Sequence, residues 1–397
     1  MESRPATMAK ASRAGAPPPC SCLPEEITFW EILVRLPAKS LLRCRAVCRT
    51  WRRVTCARDF LLAHHARQRS LPIVSGVPGS EYGSARYQDI LAFNHRAAGA
   101  ELQPVARLDT SFFVESSCDG LLVLSKSSNS VTCLSVCNPV TREHAPLVDF
   151  TYLCLLGMYL HRPTGEYRLL LHPRSQTPVS IAGTLLPNSK IGCYIFAPGS
   201  DQPPRYIQGP EGRGAAAVLR VSTPYWAHDN LHWFPMQRPS ESRPIFVFDT
   251  TTESFRQMVA PVVRPKSNIF EMDDTLGIYN YNDATEVVYI WMLQNYEREF
   301  WKFKYRVELP VAKIRGQFGR SEGSLDVGVV LADGDVLLLV SHGGWIFYVN
   351  TDGELVDSFH RDGQHIYASD LRFKQTLVPH NFFMALEYSS VNASPFL

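Results

Sequence analysis

Hydrophobic and polar positions first follow a helical period between Leu23 and about Arg69. Pro24 followed by Glu25 and Glu26 predicts a helix start, because proline needs no backbone partner in the first turn and carboxylates suit the positive end of the helix dipole. The apolar positions at helical spacing form two stripes, Phe29, Ile32, Leu33 and Leu36 on one face and Ile27, Trp30 and Val34 on another. One helix is therefore expected to have two faces to bury.

Three shorter helices are predicted behind the first one. Pro37 ends the first helix, and the second begins at Lys39 or Ser40. The apolar positions of these helices are Leu41 and Leu42 in the second, Val47, Trp51 and Val54 in the third, and Phe60 and Leu61 in the fourth. A unit this small buries little of its own surface, so its leftover apolar face is expected to bind a partner.

From Leu71 onward the pattern changes to short runs of Val, Ile, Tyr, Phe and Trp between Gly, Pro, Asn, Asp and Ser, which is typical of an all-β domain. One unit is especially regular. Its four apolar runs are Val327 to Leu331, Val336 to Val340, Trp345 to Val349 and Leu355 to Phe359, with turns at Ala332-Asp333-Gly334, Gly343-Gly344 and Asn350 to Gly353. Asp-Gly turns between apolar runs favour hairpins, and four strands in a meander make one propeller blade.

An element of two apolar residues, a polar turn and another strand recurs along this β region. One turn position from each copy gives Asn94, Asn138, Ala197, Asp249, Asn295 and Asn350, with separations of 44, 59, 52, 46 and 55 residues. Propeller blades run about 40 to 50 residues, so six copies predict about six blades. The stretch from Ile366 to Leu386 could add strands or close the ring against the first blade. A β-sandwich is the competing architecture and would not require the repeat.

The helical stretch, residues 22–69, resembles an F-box, the helical module of ubiquitin-ligase substrate receptors. The resemblance rests on Leu23-Pro24, Ile27, Ile32-Leu33, Leu36-Pro37, Ser40-Leu41-Leu42, Val47-Cys48, Trp51 and Phe60. Trp30 departs from it, because the family usually has a smaller or polar residue there. The resemblance implies docking on a Skp-family adaptor, and through the adaptor on a cullin. The residues that it assigns to this contact are Leu23, Pro24, Ile27, Ile32, Leu33, Leu36, Leu41, Leu42, Val47 and Trp51.

The β region, residues 70–397, resembles the F-box-associated interaction domains of plant F-box proteins. The motifs that carry this resemblance are Ser117 to Leu122, Cys137 to Glu143, Gly165 to Arg168, Leu231 to Trp233, Val247 to Phe255 and Val288 to Trp291. Together the two resemblances imply an α+β multidomain chain, in which a small all-α module precedes an all-β propeller-like domain. They also imply a substrate-recognition subunit of an SCF-type cullin ubiquitin ligase, whose β domain binds an unidentified target protein.

Charge is unevenly distributed along the chain. Residues 22–70 include ten basic and four acidic residues, whereas residues 71–397 include twenty-seven basic and thirty-three acidic ones. The eight basic residues from Arg35 to Arg58 have no acid among them. A solvated basic face, a nucleic-acid contact and an acidic protein partner would each explain this run. Nucleic acid is disfavoured because the apolar stripes are too extensive for a groove-binding helix, whereas the Skp-type adaptors of the resemblance are acidic.

Cysteine spacing and targeting patterns limit the compartment. The ten cysteines do not form two CxxC pairs at zinc spacing, so they are expected to be reduced, mostly buried thiols in the cytosol or the nucleus. No apolar run approaches the roughly eighteen residues of a membrane span, and the longest, around Leu153 to Leu160, is predicted to be a buried strand. Residues 1–21 lack the apolar core of a secretory signal and are expected to be a disordered tail.

Catalytic and metal-binding motifs are not recognisable in the sequence. His228 and His232 have the spacing of metal ligands on a helix, but Asp229-Asn230 predicts a hairpin turn between them. The aspartates that lie in turn contexts are Asp119, Asp249, Asp333 and Asp335. With no phosphate loop, Gly-x-Ser-x-Gly elbow or Cys/His nucleophile, we expect no cofactor, no metal and no catalysis. A propeller enzyme, the alternative, would need a polar titratable cluster at one mouth of the ring.

Overall fold

A computed structural model describes residues 23–78, 87–94, 100–128, 131–147, 153–174, 180–181, 184–185, 192–211, 215, 219–220, 222–234, 244–261, 266–272, 274–316, 324–332, 335–386 and 394–397. The chain divides into two compact units, with the division between Arg67 and Gln68. None of the helices in these ranges has the length and apolar character needed to cross a bilayer. The predicted tail, residues 1–21, lies outside the described residues.

The first unit, here called the helical unit, consists of four helical segments. They are α1 Glu25–Ile27, which continues as a π segment Thr28–Ile32 and a 3₁₀ segment Leu33–Arg35, then α2 Ala38–Cys44, α3 Arg49–Thr55 and α4 Arg58–Arg67. The predicted helix start is confirmed, since Pro24 directly precedes α1. The second helix begins at Ala38, one residue earlier than predicted.

The two predicted apolar stripes do not separate as a regular α-helix would place them. The buried positions are Phe29, Leu33 and Val34, and the exposed ones are Ile27, Trp30 and Ile32, each at least 40% exposed. The buried face therefore combines members of both stripes. The cause is the π segment, because its turn holds more residues than an α-turn and rotates the positions behind it relative to those before it.

The second unit is a six-bladed propeller, which confirms the predicted all-β fold and blade number. Its strands are β1 Ser70–Pro78, β2 Tyr87–Asn94, β3 Glu101–Asp109, β4 Phe112–Cys118, β5 Leu121–Ser128, β6 Val131–Asn138, β7 Glu143–Pro146, β8 Leu153–His161, β9 Glu166–Pro173, β10 Ser180–Ile181, β11 Thr184–Leu185, β12 Gly192–Phe196, β13 Arg205–Gln208, β14 Tyr225–Ala227, β15 Asn230–Trp233, β16 Ile245–Asp249, β17 Ser254–Met258, β18 Ser267–Met272, β19 Thr275–Asn282, β20 Val287–Asn295, β21 Phe300–Glu308, β22 Asp326–Ala332, β23 Asp335–His342, β24 Trp345–Val349, β25 Leu355–Phe359 and β26 Gln364–Lys374. Helices α5 Val311–Gly316 and α6 Asn381–Leu386 lie outside the sheets.

Each blade is a four-stranded antiparallel sheet. From the first to the fourth strand, blade 1 is β26, β1, β2 and β3, blade 2 is β4 to β7, blade 3 is β8, β9, β12 and β13, blade 4 is β14 to β17, blade 5 is β18 to β21 and blade 6 is β22 to β25. A hydrophobic cluster lies between every pair of neighbouring blades. Burial is therefore distributed around the ring instead of being concentrated in one centre.

The repeat found in the sequence marks the same hairpin in all six blades. Asn94, Asn138, Ala197, Asp249, Asn295 and Asn350 each lie at the end of the third strand or directly after it. In four of them, Asn138, Asp249, Asn295 and Asn350, the side-chain oxygen accepts a hydrogen bond from a backbone N–H two or three residues ahead. Such a turn redirects the chain into the fourth strand, which explains why Asn and Asp recur there.

The ring is closed by β26, which pairs with β1 and becomes the first strand of blade 1. This settles the role of the Ile366 to Leu386 stretch, whose strand part closes the ring. The motifs of blade 2 hold it: Ser117 Oγ donates to the Arg372 carbonyl at 2.5 Å, and Asn138 Nδ2 donates to the backbone just beyond β26 at 3.3 Å. Gly120 has a φ of +91°, and a Cβ there would lie 2.1 Å from the Lys374 carbonyl oxygen. A side chain at this position would therefore displace the closing strand.

Candidate functional site

The helical unit has a small core that includes Phe60 and Leu41, both fully buried. The Trp30 ring lies 5.6 Å from the Phe60 ring between centroids. His64 Nε2 lies 2.9 Å from the Leu36 carbonyl oxygen, and burial lowers the pKa of this imidazole. A neutral histidine thus joins α4 to the end of the first helix.

The ten residues predicted to contact an adaptor fall into three groups. Exposed are Leu23, Pro24, Ile27, Ile32, Leu42 and Val47, half-buried are Leu36 and Trp51, and buried are Leu33 and Leu41. Within the described residues, seven of the fifteen exposed large hydrophobic side chains belong to the helical unit. This concentration of exposed apolar side chains is typical of a surface that binds another protein.

Trp51 is only partly covered because it lies in the first turn of α3. The Cys48 Sγ caps this helix by accepting a hydrogen bond from the Trp51 backbone N–H at 3.4 Å. The Trp51 ring packs edge-on against Phe29, with 6.4 Å between centroids. One side of the indole therefore supports the core while the rest is accessible.

Basic side chains cover the outside of the same helices. Seven of the eight basic residues from Arg35 to Arg58 are exposed, and Arg45 is half-buried. Arg35 pairs with Glu31 at 2.6 Å, but both side chains are exposed, so this pair contributes little stability. Arg45 Nη2 donates to the Thr55 carbonyl at 3.0 Å and joins the ends of α2 and α3. The helical unit thus presents apolar and positively charged surface together.

In the propeller, the motif residues join neighbouring blades. Glu253, at the hairpin of blade 4, accepts hydrogen bonds from Tyr159 at 2.7 Å and from Arg168 at 2.6 Å, both in blade 3, and also pairs with Arg205. Burial alone would raise the pKa of Glu253, but these hydrogen bonds and the two guanidinium charges lower it overall. The carboxylate therefore stays ionised and links two blades.

The predicted hairpin between His228 and His232 is confirmed, with its turn one residue earlier. His228 and Asp229 occupy the turn with φ values of +49° and +57°, and Asn230 already begins β15. His232 is buried and its Nε2 lies 2.8 Å from the Tyr296 hydroxyl of blade 5. Burial lowers the pKa of His232 to about 3. In the described part of the chain, no group of three or more His, Cys, Asp or Glu is placed to hold a metal ion.

The first strands of four blades line a cavity of about 410 Å³ at the axis of the ring. Asp370 of β26 faces it and is hydrogen-bonded by Tyr225 of β14 and Asn268 of β18. Desolvation by the surrounding protein raises the pKa of Asp370, and the neighbouring Asp326 carboxylate of β22 raises it further. Glu271 lies 3.9 Å from Arg372 in the same cavity. This cavity contains titratable groups from several blades.

Sequence reasoning missed the axial acids. Asp326 and Asp370 are 44 residues apart and stand in no recognisable motif, and they approach each other only because β22 and β26 are first strands in neighbouring blades. The one feature of the sequence that could have revealed these two aspartates is their position in the blade repeat. Each aspartate lies in the first strand of its blade, and the first strands face the axis.

The chain is similar to known F-box proteins. Residues 20–67 match the family described as F-box-like. An F-box protein of Arabidopsis thaliana is 23% identical over 341 residues, which cover 78% of this chain and 77% of that protein. A second Arabidopsis thaliana F-box protein is 24% identical over 321 residues, which cover 72% of this chain and 69% of that protein.

Solved structures resemble the chain only distantly. A chain of a nidogen/laminin complex has a TM-score of 0.43 at 8% identity, covering 77% of this chain and 99% of that chain. TolB from Acinetobacter baumannii has a TM-score of 0.39 at 9% identity, covering 77% of this chain and 65% of that chain. The propeller assignment rests on the strand order of the six blades instead. The chain therefore consists of an F-box-like helical region over residues 20–67 followed by a six-bladed β-propeller, and it is similar to plant F-box proteins over most of its length.

Proposed function

We propose that the chain is a substrate receptor of a cullin-type ubiquitin ligase, in which the helical unit binds a Skp-family adaptor and the propeller holds a target protein. The observation that carries this proposal is the set of exposed apolar side chains on a segment that matches the F-box-like family. A unit that leaves so much apolar surface uncovered is suited to a permanent protein partner.

The surface that would contact the adaptor, here called the adaptor surface, contains the exposed predicted residues. They are Leu23, Pro24, Ile27, Ile32, Leu42 and Val47, with the accessible parts of Leu36 and Trp51. Leu33 and Leu41 support this surface from the core, since both are buried. Val47 is the most exposed large hydrophobic side chain of the helical unit, at 65%, so most of its apolar area is available for burial on binding.

The charge of the helical unit supports an acidic partner. Residues 22–70 have a net charge of +6 from ten basic and four acidic residues, and the Skp-type adaptors implied by the resemblance are acidic. Attraction between opposite charges raises the association rate more than the affinity, so binding should slow as ionic strength rises. The apolar contacts would then determine how long the complex lasts.

The proposed contribution to ubiquitin transfer is proximity without catalysis. A held target keeps its lysines at high effective concentration near the charged ubiquitin carrier. The axial carboxylates are the titratable cluster that a propeller enzyme would require, but Asp370 is engaged by Tyr225 and Asn268 from two other blades. These hydrogen bonds suit a structural role. The eight described cysteines are all free thiols, which supports the cytosol or nucleus as the compartment. Only Cys137 and Cys193 among them are buried, so the expectation of mostly buried thiols is wrong.

Val47→Asp tests the adaptor surface. A carboxylate buried without a partner in an apolar interface is unfavourable, so affinity for a purified Skp-family adaptor should fall at least about tenfold. Binding is measured by surface plasmon resonance with the full chain.

The matched control is Val356→Asp, since Val356 is a valine of blade 6 that is 52% exposed. It should leave adaptor binding unchanged. Failure of the unaltered chain to bind any Skp-family adaptor, or an equal loss in both variants, would contradict the proposal.

A further inference from the structure

The fourth strand of each blade forms the outer edge of the propeller, and these six edges differ in how they are protected. The short ones are β7 and β13 with four residues each and β17 and β25 with five residues each. β3 has nine residues but contains Pro104, and its last part bonds to the segment around Phe396. Shortness, proline and covering chain are the usual protections of an edge strand.

β21 of blade 5 has none of these three protections, although register shifts interrupt its pairing with β20 next to Trp291 and Asn295. It spans nine residues without proline, and no other strand in the described ranges pairs with its outer side. The row of backbone donors and acceptors on that side can therefore accept another strand.

The side chains of β21 combine aromatic groups with positive charge. Phe300 is 59% exposed and Phe303 is 48% exposed. Lys302, Lys304 and Arg306 are also exposed, and the one acid of the strand, Glu308 at its end, pairs with Arg306 at 2.6 Å, which leaves Lys302 and Lys304 as its unneutralised charges. This positive strand lies in a region, residues 71–397, with six more acids than bases. An approaching negative segment would therefore be attracted to β21 in preference to the surrounding surface.

An apolar shelf adjoins the strand on one face. The Phe303 ring packs edge-on against Trp291 with 5.5 Å between centroids. Trp301 Nε1 donates to the Val259 carbonyl at 2.9 Å, and the Val259 side chain is 68% exposed. Lysines alone would protect an edge, but exposed phenylalanine and valine beside them add surface that protection does not need.

We propose that β21 is the docking edge for an extended segment of the target protein in which acidic and apolar residues alternate. The segment adds a fifth strand to blade 5, with its carboxylates on the Lys302 side and its apolar side chains on the opposite face, near Phe303. Lys302 and Phe303 are consecutive and point to opposite faces, so two consecutive residues of an alternating segment match them. The register shift between Ile290 and Trp291 limits this match to the Phe300–Phe303 half of the strand, because alternation is interrupted at Lys304. This inference rests on the proposed function, because it assigns the class of target that the receptor would hold.

A peptide of alternating aspartate and valine tests the docking edge. Its length is the nine residues of β21, and fluorescence anisotropy of the fluorescein-labelled peptide is measured with the full chain. Lys302→Glu and Phe303→Ala should each weaken binding, the charge reversal by at least about tenfold. N-methylation of alternate peptide residues should weaken it similarly, because it removes the backbone hydrogen bonds of strand addition. Lys313→Glu, an exposed charge reversal on α5, is the matched control and should bind normally.

The outcomes separate the alternatives. Equal binding of the N-methylated peptide, or no binding up to about 1 mM peptide, a very weak affinity, overturns strand addition. A single-stranded oligonucleotide that binds instead, and is lost in Lys302→Glu, would make the edge a nucleic-acid surface. Adaptor binding of the same preparations is measured in parallel. If it is retained while the peptide fails, only the docking edge is wrong, whereas its loss contradicts the proposed function itself.

Discussion

The helical unit and the propeller differ in how completely they bury their apolar side chains. The helical unit, 45 described residues long, exposes seven large hydrophobic side chains, whereas the much longer propeller exposes eight within its described residues. The propeller buries its apolar surface in clusters between blades and closes its ring with β26. The difference suggests an experiment on each unit: the proposed adaptor should stabilise the helical unit by binding its folded form, whereas the propeller should not depend on it.

The largest expected effect is on the propeller core. Phe248 is fully buried between blades 3 and 4, with its ring centroid 5.4 Å from Tyr159 and 5.0 Å from Phe255. Phe248→Ala should lower the free energy of unfolding by about 3–5 kcal/mol, because it removes a large side chain and leaves a cavity. Urea unfolding followed by circular dichroism measures this change.

The control for the core is Phe113→Ala, since Phe113 is 56% exposed. It should change stability by no more than about 0.5 kcal/mol. Equal effects of the two substitutions would mean that the interblade cluster does not carry the propeller's stability.

A smaller effect is expected in the helical unit. Complete burial of Trp51 would give Trp51→Ala a cost of about 3–5 kcal/mol, but the indole is only half-buried. We expect about 1–3 kcal/mol from the area lost against Phe29 and neighbouring residues. Because the accessible part belongs to the adaptor surface, adaptor affinity should fall as well.

Differential scanning calorimetry with and without adaptor sharpens this comparison. Adaptor should raise the melting temperature of the helical transition in the unaltered chain more than in Trp51→Ala, and leave the propeller transition where it is. If adaptor raised the melting temperature of the propeller transition only, the propeller and not the helical unit would be the adaptor-binding unit.

The smallest expected effect on stability is that of a substitution at the axis of the propeller, and this substitution should raise stability instead of lowering it. Desolvation raises the pKa of Asp370, so its ionised form is less favourable in the folded state than in the unfolded chain. Stability is therefore lost as pH rises from the ordinary value of 3.8 through the raised folded pKa. Asp370→Asn should raise the melting temperature at pH 7, because the amide keeps an acceptor for Tyr225 without the charge.

Melting curves at several pH values test this expectation. The gain from Asp370→Asn should shrink as pH falls and stop changing below about pH 3.8, where the carboxyl is protonated in both states. A gain that is independent of pH would show that charge at the axis is not the cause.

Local sequence patterns predicted much of the fold. The turn residues Asn138 and Asp249 mark the same hairpin in different blades because a side chain that accepts nearby backbone N–H groups acts within a few residues. Helix starts were likewise readable at Pro24. The burial of individual helical positions could not be predicted in this way. Ile32 is exposed and Val34 is buried because the π segment changes the rotation along the helix, and apolar spacing alone does not reveal a π segment.

Residue patterns alone distinguish two kinds of region, a short helical segment with too many apolar faces and a long β region with a repeat. The three-dimensional packing establishes which apolar side chains remain outside, that β21 is an open edge, and that Asp326 and Asp370 are neighbours at the axis. The physical reason is distance along the chain. Contacts such as Ser117 with Arg372 join residues more than 250 positions apart, and bringing such residues together has a cost in chain entropy that no local pattern reveals.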